Sequence, residues 1–108
     1  MAHYLIQASY ATEAIAALVK TPEDRAAVVR RLAQGMGGKV EAFYFAFGDY
    51  DVVAIAELPD NVSMAALSMA IAATGALKTF KTTVLIPMNE AVEAMRKAGT
   101  TGYRPPGG

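Results

Sequence analysis

Residues 39–57 contain two neighbouring segments that are apolar on both sides, and this feature restricts the fold more than any other. The segments 39–47 and 52–57 are rich in aromatic and β-branched residues and are separated by Gly48-Asp49-Tyr50-Asp51, a pattern that predicts an antiparallel hairpin. The first strand alternates Phe43, Phe45 and Phe47 with Val40, Ala42 and Tyr44, and the second alternates Val53 and Ile55 with Val52, Ala54 and Ala56. Because a sheet that is apolar on both faces must be covered on both, we expect the protein to work as a homodimer or a higher homo-oligomer.

The composition points in the same direction. The chain has 108 residues, enough for one domain with one core. Hydrophobic residues make up 54% and charged residues 19%, compared with about 45–50% and about 25% in typical globular proteins. Few residues are therefore available for a solvated surface, and we expect some apolar surface to meet another subunit.

Charge and cysteine content exclude several classes of function. Ten basic residues balance ten acidic residues, whereas nucleic-acid binders carry a basic excess, so no nucleic-acid partner is expected. The absence of cysteine removes disulfides, thiolate zinc sites and cysteine nucleophiles, and it fits a cytoplasmic location. No leader-like segment is recognised, and the apolar stretch 61–77 is shorter than the roughly 20 residues that cross a bilayer. We therefore expect neither export nor membrane binding.

The other segments alternate between strand and helix. Residues 3–10 and 77–86 are predicted to be strands, and a short helix is expected from Thr12 to the residue before Thr21. Thr21 is predicted to cap a second helix that has Pro22 at its first position and ends at Gly37-Gly38. A helix capped by Asp60 or Asn61 should end near Gly75, where a positive φ is usual, and Asn89 is predicted to cap a last helix.

The resulting order of elements predicts an α+β protein with the ferredoxin-like βαββαβ fold. We expect a four-stranded antiparallel sheet with both main helices on one face, a split first helical segment and an extra C-terminal helix. Residues 1–98 are predicted to form the single domain, and residues 99–108, rich in Thr, Gly and Pro, a flexible C-terminal tail.

The hairpin turn also carries a family resemblance. Gly48-Asp49-Tyr50-Asp51, followed by residues 52–57 and Pro59-Asp60, resembles the GYD domain family, and the similarity covers roughly residues 3–95. Further similarity lies in Gly37-Gly38-Lys39 and in Leu77-Lys78-Thr79. The resemblance implies a ferredoxin-like domain in a dimeric α/β-barrel arrangement, and it implies no particular activity.

Tyr50 and Asp51 place a phenol beside a carboxylate in the turn. One interpretation makes Tyr50 a hydrogen-bond donor or acid that Asp51 orients. The other has Asp51 bonding backbone amides and Tyr50 packing over the sheet end, as turn residues commonly do. Both residues are candidates for ligand binding.

A polar strip is the second candidate. The two-residue period of a strand puts His3, Gln7 and Ser9 on one side of the first strand, where they would share a strip with Thr79, Lys81 and Thr83 of the last strand. This strip would line a ligand site or form a solvated rim. His3 is the only histidine, so we expect no metal site and no cofactor.

Three hypotheses of function remain. The first is a non-catalytic homo-oligomeric module that binds a small molecule between two sheets. The second is a cofactor-independent enzyme, monooxygenase-like or isomerase-like, that uses His3, Tyr50 or Lys81. The third is an assembly protein that associates through its last helix and tail.

Overall fold

Eight elements follow one another in the computed structural model, which describes all 108 residues. They are β1 (Ala2–Tyr10), α1 (Thr12–Lys20), α2 (Arg25–Gly35), β2 (Lys39–Phe45), β3 (Val52–Leu58), α3 (Asn61–Ala72), β4 (Leu77–Leu85) and α4 (Met88–Ala98). The strands form one antiparallel sheet in the order β2-β3-β1-β4. This arrangement confirms the predicted ferredoxin-like fold, including the split first crossover and the additional last helix.

Local capping groups determine where the helices begin, and two of the predicted starts are wrong. Helix α2 begins at Arg25 because the Asp24 carboxylate accepts a hydrogen bond of 2.9 Å from the Ala26 amide, so Thr21 is not the cap. An acidic cap satisfies a free amide and faces the positive end of the helix dipole. Helix α4 begins at Met88 directly after Pro87, which places Asn89 inside its first turn.

Helix α3 begins and ends as predicted. Asp60 is its N-cap and accepts hydrogen bonds of 2.8 Å from both the amide and the hydroxyl of Ser63. Beyond its last turn, Gly75 has a φ of 74°, which a residue with a Cβ adopts only with strain. Met64 and Leu67 on this helix are buried, whereas Met69 is 70% exposed.

The hydrophobic core lies between the sheet and helices α2 and α3. Its buried members are Tyr4, Ile6, Ala33, Ala54, Ala56, Leu58, Met64 and Leu67. Tyr4 spans this core, and its hydroxyl donates a hydrogen bond of 2.6 Å to Asn61 Oδ1. Burial raises the pKa of Tyr4, so this hydroxyl keeps its proton and remains a donor.

The opposite face of the sheet contributes no residue to the buried core, and we call it the open face. Strand pairing places on it His3, Leu5, Gln7 and Ser9 of β1, Val53, Ile55 and Glu57 of β3, Lys39, Ala42 and Tyr44 of β2, and Thr79, Lys81, Thr83 and Leu85 of β4. The centre of the open face is apolar, and polar side chains lie towards its two ends.

A β-bulge in β2 corrects the predicted sides of that strand. The pairing with β3 shifts between Val40 and Ala42, because one extra residue, Glu41, opposes no partner there. Val40 therefore faces the helices together with Phe43, while Ala42 lies on the open face. Strict alternation had placed Val40 with Ala42, and an inserted residue reverses such an alternation beyond the bulge.

Helix α4 remains largely unpacked. It makes no extensive contact with any other element of the chain, and its apolar residues Met88, Val92 and Met95 are 70%, 38% and 63% exposed. The radius of gyration is 17.5 Å, compared with about 13 Å for a compact chain of this length. No helix has the length and apolar content needed to cross a bilayer.

Candidate functional site on the open face

Four of the residues in the predicted polar strip lie side by side on the open face. Gln7 of β1 pairs with Lys81 of β4, and Ser9 pairs with Thr79. Directly opposed residues in antiparallel strands have their Cβ atoms about 4.5–5.5 Å apart. These four side chains therefore form one polar patch, which we call the β1-β4 patch.

His3 lies away from the β1-β4 patch, near the other end of the open face. It pairs with Leu85 of β4 and Glu57 of β3, four strand positions from Gln7, or roughly 13 Å along the strand. Leu5 separates the two on the same face, opposite Thr83 and Ile55. The predicted strip is thus interrupted on β1 by Leu5, whereas Thr83 continues it on β4.

The turn that resembles the GYD family is attached to β1 through backbone hydrogen bonds. The Asp51 amide donates to the Ala8 carbonyl at 2.8 Å, and Asp51 Oδ2 accepts a bond of 2.9 Å from the Tyr10 amide. The Asp51 carbonyl also accepts a bond of 2.7 Å from the Ala46 amide. This carboxylate holds backbone together, which favours the structural interpretation of Asp51.

The other polar groups at the turn support that interpretation. The Ser9 hydroxyl donates to the Asp49 carbonyl at 3.2 Å, so Ser9 links the β1-β4 patch to the turn. Tyr50 is half-buried, and its hydroxyl makes no hydrogen bond with the Asp51 carboxylate, which bonds the Tyr10 amide. The turn therefore positions Ser9 and is fastened to the end of β1.

The possible catalytic residues are spread along the sheet. Tyr50 directly precedes Asp51, whose amide donates a hydrogen bond to the Ala8 carbonyl. Ala8 lies five positions from His3, or roughly 17 Å along β1. Lys81 is paired with Gln7, between these ends. His3 and Tyr50 therefore do not form a catalytic set within one chain.

A charged cluster that sequence reasoning missed surrounds His3. Nδ1 of His3 lies 3.4 Å from Glu41 and Nε2 lies 3.6 Å from Glu57, while Lys39 Nζ lies 3.1 Å from Glu57. The hydrogen bond from Lys39 lowers the pKa of Glu57, and the same bond raises the pKa of Lys39. The sequence signal for this cluster was Glu57, a glutamate at the end of the otherwise apolar strand β3. The position of Glu41 depends on the bulge and could not be read from the strand period.

The cluster has the donor atoms of a metal site but the arrangement of an ion-pair network. The ligand atoms of His3, Glu41 and Glu57 all lie within 4.8 Å of one another. A zinc-type ion would require one imidazole nitrogen and both carboxylates at about 2.0–2.2 Å. Here Nδ1 of the imidazole faces Glu41 and Nε2 faces Glu57, and the Lys39 ammonium forms a salt bridge with Glu57. The ammonium contacts Oε2 of Glu57 while His3 faces Oε1, so a bound cation would lie close to the like charge of Lys39.

The fold and comparisons with known proteins together identify the class and the family. The antiparallel sheet with α2 and α3 on one face defines a ferredoxin-like α+β domain. The family model of the GYD domain matches residues 4–95, so the chain belongs to the GYD domain family, which confirms the resemblance seen in the sequence.

Similarity to solved structures supports the fold alone. The crystal structure of FFRP-DM1 is similar over 80% of this chain and 100% of that chain, with 18% sequence identity and a TM-score of 0.50. No curated protein matches the sequence.

Proposed function

We propose that this GYD domain protein is a non-catalytic homodimeric module in which the open face packs against the open face of a second copy. The observation that carries the proposal is the apolar centre of that face, formed by Leu5, Ala42, Val53 and Ile55 between two polar ends. Specific interfaces have this anatomy, with an apolar core and a polar rim. A small molecule held between the two sheets would lie beside the β1-β4 patch.

The charges of the open face favour a second copy as its partner. The two lysines of this face, Lys39 and Lys81, balance its two glutamates, Glu41 and Glu57, so two copies meet without a large net repulsion. A basic or acidic partner would find no complementary field here. Electrostatic complementarity of this kind selects partners by penalising like-charge contacts.

The size of the open face is also adequate. Four strands spaced about 4.8 Å apart, with roughly seven residues each at about 3.3 Å per residue, cover roughly 450 Å² in projection. Two such faces have a total projected area of about 900 Å², and protruding side chains add to the surface that would be buried. This is close to the roughly 1,000 Å² of buried surface that a specific interface requires. The predicted dimeric α/β-barrel arrangement is consistent with this estimate.

The same substitution, made separately at two positions, tests the dimer. Val53→Lys puts a charge in the centre of the open face, whereas Val62→Lys makes the same change at a position on α3 that is 78% exposed. Light scattering coupled to size exclusion should give twice the chain mass of 11.4 kDa for the wild type and for Val62→Lys, and one chain mass for folded Val53→Lys. A monomeric wild type at micromolar concentration would refute the proposal, as would a dimeric Val53→Lys.

Ligand binding between the sheets requires a separate measurement. A crystal structure of the dimer should show ordered density between the sheets next to Gln7 and Lys81. A dry and fully packed space between the sheets would overturn this part of the proposal and leave the dimer intact.

Assembly through the last helix is the second candidate function, and the exposed apolar face of α4 favours it. A chain that ends at Lys97 removes the tail, and Met95→Lys places a charge on the exposed apolar side of α4. If α4 and the tail drive assembly, light scattering should show a lower mass for these variants than for the wild type. Unchanged masses in both would refute the idea.

A further inference from the structure

A cavity of about 250 Å³ lies between the sheet and helices α2 and α3, on the face opposite to the open face, and it opens to the surface beside the exposed Ala70 and Thr74. Fifteen of its 17 lining residues are hydrophobic. Small residues of the two central strands, Ala8 and Ala54, line it on the sheet side, and the edge strands contribute Phe43 and Phe80. Val28, Val29, Leu32, Leu67 and Ile71 line it on the helix side.

The size of this cavity indicates the size of its ligand. Protein interiors contain few voids larger than a water molecule, and an apolar cavity of about 150 Å³ stays dry and binds benzene. The cavity in this protein, of about 250 Å³, has roughly 1.7 times that volume. Two fused aromatic rings have ten carbons where benzene has six, which is the same ratio. The apolar walls and the two phenylalanines favour a flat aromatic molecule, because aromatic rings pack well against one another.

One end of the cavity is polar. Tyr10, Arg25 and Phe43 also line a second, more open pocket between α1, the start of α2 and β2, so these three residues lie at the junction of the two spaces. Burial raises the pKa of Tyr10, and Arg25 only partly offsets this rise. The Tyr10 phenol therefore keeps its proton and is a hydrogen-bond donor.

The charges around this polar end favour a neutral oxygen over an anion. Arg25 Nη1 is already paired with Glu23 at 3.1 Å, while the guanidinium has further N–H donors. Asp51 adds a second negative charge near Tyr10. A ligand carboxylate would have to compete with both acids, whereas a carbonyl or hydroxyl oxygen would accept hydrogen bonds without adding charge.

We propose that this cavity binds a neutral bicyclic aromatic molecule with one carbonyl or hydroxyl oxygen, its rings between the helices and the sheet and its oxygen at Arg25 and Tyr10. This site is separate from the open face and does not depend on the proposed dimer. Folded Val53→Lys should therefore bind such a molecule as tightly as the wild type.

The test uses 2-naphthol, naphthalene and 2-naphthoate as probes. Because the chain has no tryptophan, its only intrinsic fluorescence comes from tyrosine, which emits at shorter wavelengths than the naphthalene probes. The wild type should bind 2-naphthol more tightly than the other two probes. Absence of 2-naphthol binding up to its solubility limit would overturn the proposal, and tighter binding of 2-naphthoate would overturn its claim of a neutral ligand.

Three variants locate the binding site. Ala54→Leu fills the cavity and should weaken 2-naphthol and naphthalene binding at least tenfold. Ala70→Leu fills it from an exposed position on α3 and tests the same point if Ala54→Leu does not fold. Arg25→Met should weaken 2-naphthol about fivefold and leave naphthalene unchanged. The control Ala27→Leu, at an exposed position of α2, should change neither. Wild-type affinity in both folded filling variants would refute this location.

Discussion

Removing the Asp51 carboxylate should destabilise the protein, because this side chain fastens the turn to β1. Its Oδ2 atom accepts a hydrogen bond of 2.9 Å from the half-buried Tyr10 amide. Asp51→Ala leaves that amide without its charged partner, and a lost bond to a charged group costs about 1.5–3 kcal/mol. We expect a loss of about 2 kcal/mol in the free energy of unfolding and a fall in Tm of about 8–15 °C for a chain of this size.

Two further variants separate the charge from the geometry at this turn. Asp51→Asn keeps an oxygen acceptor, and because a neutral bond still contributes about 1 kcal/mol of the roughly 2 kcal/mol, the net loss should be only about 1 kcal/mol. Tyr50→Phe removes a hydroxyl that the Asp51 carboxylate does not orient, and its unfolding free energy should stay within about 0.5 kcal/mol of the wild type. Urea denaturation at one fixed protein concentration measures all three, since dimer stability varies with concentration. The reasoning fails if Asp51→Ala unfolds like the wild type, or if Tyr50→Phe is equally damaging.

Gly38→Ala should cost about 2–3 kcal/mol by urea denaturation, because the added Cβ would overlap the Glu57 carbonyl oxygen. Its control, Gly35→Ala, adds a Cβ that meets nothing within 4 Å in the last turn of α2 and should not destabilise; equal effects of the two would contradict the clash. Asp60→Ala should destabilise the protein measurably at neutral pH through loss of the α3 cap. The pKa of Asp60 is lowered from its ordinary 3.8 by hydrogen bonds that it accepts from the start of α3, so this stabilisation is present above the unfolded pKa and decreases as the pH falls below about 4. A difference in unfolding free energy between Asp60→Ala and the wild type that stays constant down to pH 2 would argue against this pH dependence. So would an Asp60→Asn variant that loses stability in acid as the wild type does.

Much of the fold could be predicted from the sequence because its signals are local. The hairpin, the strands and the Asp60 cap depend on residues close together in the chain, and each was recognised from its neighbours. The start of α2 was predicted wrongly because Thr21 and Pro22 form one acceptable start and Asp24 a better one a few residues later. Where two local signals compete, the packing of the helix on the sheet selects between them.

The candidate site was predicted only where it follows the period of a strand. Gln7 and Ser9 share a face with Lys81 and Thr79 because every second residue of a strand points the same way. His3 follows the same rule, yet its distance from Gln7 and the apolar centre between them depend on which residues of β3 and β4 pair with β1. Pairing is a long-range property, and the period alone does not specify it.

The sequence by itself determined that a sheet apolar on both faces would form, since its hairpin carries hydrophobic residues at nearly every position. Only the tertiary structure decided how those residues divide between the faces, because the bulge at Glu41 moves Val40 to the helix side. It also decided that Glu41 and Glu57 meet at His3, and that Ala8 and Ala54 leave a cavity under the helices. Each of these features joins residues far apart in the chain, and their meeting depends on strand pairing and helix packing together.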